Sequence, residues 1–97
     1  MIKLYMFIYN DEVGTASQIT KILDNMPSVI TWRYDMPHII YVTSYYDAHV
    51  LSSQFESKFK ANGRFMFIEV TANAQGRMLN DTWFLINNKY NCEPTGK

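Results

Sequence analysis

Cysteine is almost absent: Cys92 is the one residue of its kind in 97, so no intrachain disulfide can close. Histidine is nearly as scarce. With only His38 and His49 beside that cysteine, a zinc site of the usual Cys/His kind is not expected. There is no charge excess of either sign, because nine Lys and Arg balance nine Asp and Glu. That removes the global basic field that draws proteins to nucleic acid, although a local patch remains open. It equally removes the acidity of a DNA mimic. Glycine and proline are sparse, at four and three residues, and no low-complexity tract, repeat or linker interrupts the chain. The longest apolar opening, residues 1–9, carries Lys3 and runs into Asn10-Asp11-Glu12. It is too short to span a bilayer and lacks a small-residue cleavage site. The expectation is a cytoplasmic protein with no membrane partner.

What the chain does have is aromatic residues. They make up 15% of it, led by seven tyrosines. At this length one domain with one two-layer core is expected, burying roughly 60–70% of the unfolded surface. Residues 1–9 alternate between Ile2, Leu4, Met6, Ile8 and Lys3, Tyr5, Phe7, Tyr9. Residues 64–71 alternate between Met66, Ile68, Val70 and Phe65, Phe67, Glu69, Thr71. Side chains of a strand alternate between its two faces, so each strand carries an aliphatic side and an aromatic side.

The remaining elements follow from local signals. Thr15 with Gln18 forms a capping box, ahead of Ala16, Ile19, Ile22, Leu23 and Met26 at helical spacing, and Pro27 stops that helix. Residues 29–34 and 38–43 read as strands joined at Asp35-Met36-Pro37. Asp47 can cap a second helix with Ala48, Leu51, Phe55 and Phe59 on one face, and Gly63 suits its C′ position. Asn80 or Asp81 can cap a short last helix carrying Trp83, Phe84 and Ile86. The predicted order is β-α-β-β-α-β plus a helix. This is an α+β, ferredoxin-like sandwich of a four-stranded antiparallel sheet with two helices on one face. The domain is expected over residues 1–87, with a polar tail over 88–97. The aliphatic sides are expected under the two helices, with the aromatic side outward.

Three stretches, Thr31-Trp32-Arg33-Tyr34, His38 to Thr43 and Phe65 to Thr71, resemble SinR-like small proteins. So does the run from Gly76-Arg77-Met78-Leu79 to Trp83-Phe84-Leu85-Ile86-Asn87. These proteins are similar in fold to the second CRISPR-associated adaptation protein and to VapD-type ribonucleases. The resemblance covers most of residues 1–87 and rests on hydrophobic runs and a few marker residues. It implies a homodimer whose sheets meet, and in the adaptation proteins an Asp at the end of strand one. Paired across a two-fold axis, such carboxylates hold Mg²⁺ or Mn²⁺ for phosphodiester cleavage. Here that position is Asn10, with Asp11 one residue later.

The expectation is therefore a homodimeric binding protein without catalysis or cofactor, acting on nucleic acid, a nucleotide or a partner protein. Its dimer interface is expected to use Tyr5, Phe7, Tyr9, Tyr41, Phe65 and Phe67. The same aromatic face is also a candidate base-stacking surface. Phosphate contacts are expected from Arg33, Arg64 and Arg77. Two other classes compete. One is a metal-dependent endoribonuclease or endodeoxyribonuclease using Asp11, with any metal held by Asn10 and Asp11. The other is a phage or mobile-element protein that inhibits a host defence nuclease. His38 and His49 have no visible catalytic partner in the sequence.

Overall fold

The computed structural model describes residues 1–59 and 62–88. In chain order these form β1 (Lys3–Tyr9), a single 3-10 turn (Asp11–Val13) and α1 (Ala16–Asp24). The hairpin β2 (Thr31–Met36) and β3 (Ile39–Ser44) follows, then α2 (Ala48–Lys58), β4 (Phe65–Val70) and α3 (Asn80–Asn87). The sheet is fully antiparallel in the order β2-β3-β1-β4. β3 thus sits between β1 and β2, and β1 between β3 and β4, which is the split βαβ arrangement of a ferredoxin-like sandwich. Most of the polar tail expected over 88–97 lies outside the described residues.

The helix starts follow the local chemistry. Thr15 Oγ1 accepts from the Gln18 N–H at 3.2 Å, while Gln18 Oε1 accepts from the Thr15 N–H at 2.9 Å, completing a capping box. Asp47 accepts from the Val50 N–H at 3.0 Å. α3 departs from expectation: it begins at Asn80 behind Leu79, with no side-chain cap. Gly63 also departs, since α2 ends at Lys58 and the glycine lies well beyond it. Its φ of 128° serves a close approach instead. A Cβ there would stand 2.7 Å from the Val13 nitrogen and 2.8 Å from Asn10 Oδ1.

The sheet's faces are the reverse of the expected ones. The side under α1 and α2 is the aromatic one. Tyr5, Phe7, Tyr9 and Phe67 are buried there with Ile40, Val42, Ile19, Leu23, Leu51 and Phe55, and Phe65 packs against them. Phe7 lies at the centre, its ring 4.7–5.7 Å from those of Tyr9, Phe55, Phe65 and Phe67. Alternation alone is symmetric and cannot say which side the helices take. The size of the side chains decides it: each buried aromatic removes ~150–250 Å² from water, more than an aliphatic can. α2 also brings Phe55 and Phe59 to meet them.

Tyr41 belongs to the other face. Its register partner is Met6, not a residue of the aromatic set, and it is buried with Leu4 and Ile86 under α3.

Burial raises the pKa of Tyr5, Tyr9 and Tyr41 above the ordinary 10.0. Nearby carboxylates add to it: Glu69 and Asp47 for Tyr5, Asp35 for Tyr41. The Tyr5 hydroxyl is not left unpaired, since it donates to the Tyr46 carbonyl at 2.8 Å.

Phe7→Ala should cost about 3–5 kcal/mol, the range for an aromatic removed from a packed core. Phe84→Ala, at a ring 60% exposed on α3, should change stability by no more than about 0.5 kcal/mol. Urea denaturation of the two variants checks this, and equal losses would mean the core lies elsewhere.

Candidate functional site

Two helices cover the aromatic face, but only α3 covers the other among the described residues. α3 is fastened over β2, β3 and the near part of β1. Thr82 Oγ1 donates to Asp35 Oδ2 at 2.5 Å, and Asp81 lies 3.6 Å from Arg33. Its Thr82 and Ile86 are buried, with Trp83 and Leu85 partly so.

An eight-residue helix cannot reach across four strands. A strip of aliphatic side chains remains open toward the hairpin end and β4. In register across the sheet it runs Met36, Ile39, Ile8, Met66, with Met6 and Ile68 in the next row. Ile8, Met66 and Ile68 are 39%, 57% and 48% exposed. The strip contains no charged side chain. At its end Arg64 joins Ile8 and Met66 around a shallow hollow.

The residues expected at a dimer interface lie elsewhere. Tyr5, Phe7, Tyr9, Tyr41 and Phe67 are each no more than 7% exposed, inside the protomer. Phe65 is half-buried against the same core. Rings enclosed in this way cannot stack bases either.

Asn10 acts within the fold. Its Oδ1 accepts from the Arg64 N–H at 3.1 Å, and its backbone N–H donates to the Arg64 carbonyl at 3.1 Å. The side chain ties the 3-10 turn to the start of β4.

Asp11 meets His38, 27 residues away, at 2.7 Å from Nε2. The sequence carries no signal for this pair. It forms because the β2–β3 hairpin tip folds beside the end of β1, where the Tyr9 N–H donates to the His38 carbonyl at 3.1 Å. The Tyr9 ring lies 5.6 Å from the imidazole, and a hydrogen bond with the His38 backbone partly offsets the upward push of burial on the Tyr9 phenol. A carboxylate that orients an imidazole is the arrangement general bases use, but this one is open to water, with the two side chains 94% and 46% exposed. Among the described residues no group of three or more His, Cys, Asp or Glu side chains is placed to hold a metal ion.

The three arginines are not brought together. Arg33 is on β2 and Arg64 precedes β4, at opposite edges of the sheet. Three strand spacings, about 14 Å, separate those edges. Arg77 lines a cleft with Asp35, Met36, Met78 and Leu79, apart from the other two arginines. His49 is exposed early in α2. Among the described residues no helix is long and apolar enough to cross a membrane. Compared with protein-family models, curated proteins and solved structures, the chain matches none.

His38 has a φ of 74°, a conformation that glycine adopts freely and β-branched residues resist. His38→Gly should therefore leave the melting temperature within about 2 °C, since the relief of the positive φ offsets loss of an exposed contact that adds only ~0.2–1 kcal/mol. His38→Val should lower it several degrees further. If the glycine variant were the less stable, the Asp11 contact would be holding the hairpin.

Proposed function

We propose that this chain is a homodimeric binding protein whose contact surface is the open aliphatic strip of the sheet. The observation that carries the reading is the exposure of Ile8, Met66 and Ile68 side by side, in a strip whose own side chains carry no charge. Contiguous apolar surface of this kind marks an interaction site. Its chemistry suits another protein surface. Nucleic acid asks for clustered cations and a platform of accessible rings; the arginines are dispersed, and the six rings first taken for such a platform are buried or half-buried in the core.

The resemblance to SinR-like and adaptation proteins is consistent with a dimer; with the aromatic rings buried in the protomer, the proposed contact lies on the aliphatic face and not the aromatic one. Inhibition of a host nuclease would be one use of such a surface. The competing endonuclease reading needs Asp11 and its two-fold copy to hold Mg²⁺ or Mn²⁺. The Asp11 carboxylate is already engaged by His38.

Light scattering at micromolar concentration should return twice the monomer mass. Ile68→Lys should return the monomer mass with its melting temperature retained, because the lysine would sit in the contact and not in the core. A wild type that stays monomeric overturns the reading. A separate assay with Mg²⁺ and Mn²⁺ should find no cleavage of single- or double-stranded RNA or DNA. Turnover lost in Asp11→Ala would favour the endonuclease.

A further inference from the structure

The two edges of the sheet are guarded unequally. β2 carries Arg33 and Asp35, has an irregularity in its pairing between Tyr34 and Met36, and is clasped by Asp81 and Thr82 of α3. Charges, bulges and covering elements are the usual means of blunting an edge strand. β4 is guarded far less, and no element among the described residues lies along its outer edge. Its six residues, Phe65–Val70, include one charge, Glu69, no proline and no register shift against β1. No other strand among the described residues pairs with its outer side.

The direction of its free backbone groups follows from the pairing. The Asn10 N–H donates to the Arg64 carbonyl, so Asn10 and Arg64 are a hydrogen-bonded pair. In an antiparallel ladder such pairs recur every second residue. Met66 and Ile68 therefore bond inward to β1, and Phe65, Phe67 and Glu69 present their N–H and C=O groups outward.

Resting on the homodimer reading above, and placing its contact along the edge that borders the aliphatic strip, we propose that the occupant of this edge is β4 of a second copy. The two strands run antiparallel about a two-fold axis at Phe67, joining two sheets into one of eight strands. Three constraints select this register. Residues opposite one another must share a face, so odd residues oppose odd ones. Centring on Phe67 pairs all three outward residues, Phe65 with Glu69, Phe67 with itself and Glu69 with Phe65, for about six hydrogen bonds. Centring on Glu69 would oppose two like charges directly. In the Phe67 register Met66 of one protomer faces Ile68 of the other. The exposed halves of the two aliphatic strips then become continuous across the seam, in the closer, non-hydrogen-bonded positions. A C₂ contact requires such a self-complementary patch.

The test is disulfide trapping in a Cys92→Ser background. Opposed Met66 and Ile68 have Cα atoms about 4.5 Å apart, within the range a disulfide spans. Met66 and its own copy are diagonal, about 7–8 Å apart, beyond that range. An equimolar mixture of Met66→Cys and Ile68→Cys chains should cross-link on mild oxidation, and each variant alone should not. Glu69→Pro removes an outward N–H without touching the β1 ladder. It should raise the dimer dissociation constant at least tenfold at unchanged melting temperature. A dimer mass without the mixed cross-link, or with self-cross-links in preference, overturns this seam and leaves the homodimer standing. A monomer mass overturns both. A mixed cross-link appearing only after deletion of residues 89–97 would assign the edge to the chain's own terminus and overturn the proposal.

Discussion

The contacts around Phe7 set the rest of the architecture. Phe7 lies on the strand that bonds both β3 and β4, and its ring touches rings from β1, β4 and α2. Filling the space under two helices with aromatics gathers most of the buried apolar area on one side of the sheet. Among the described residues one eight-residue helix is then left for the other side. The open aliphatic strip is thus a consequence of where the aromatic rings went.

Much of the fold was legible because its signals are local. The capping box at Thr15 and Gln18, the Asp47 cap and the hydrophobic periods report on neighbouring residues, and β-strand boundaries came out within about two residues. The facing of the sheet was not legible. Alternation defines two sets but not which one the helices cover. Tyr41 shows how parity misleads: it is aromatic like Tyr5, but its register with Met6 puts it on the opposite face. The Asp11–His38 contact was hidden for another reason. It joins a turn after β1 to a hairpin tip, and nothing near either residue encodes that meeting.

Arg33 illustrates a cost of reading cations singly. In sequence it is a free positive charge beside Trp32 and Tyr34. In the fold it lies near Asp81, while Asp35 next to it binds Thr82. Its surroundings hold α3 onto β2, so the helix that buries Ile86 also neutralises this arginine. What gives the strip its uncovered half therefore also removes one candidate phosphate contact.

The same clasp explains why the two edges differ. Fixing α3 over β2 spends the helix and two of β2's polar side chains on one edge, and β4, at the opposite end of the sheet, receives neither. Glu69 alone cannot guard six residues, since its side chain points to the helix-side face, opposite that of Met66 and Ile68. An edge with outward N–H and C=O groups beside exposed methionine and isoleucine is a ready template for pairing with another strand, and pairing also takes that apolar surface out of water. In a chain with zero formal net charge, no long-range repulsion opposes the approach of a second copy. Neutral charge, which argues against a nucleic-acid partner, is therefore the condition under which self-association through this edge is least opposed.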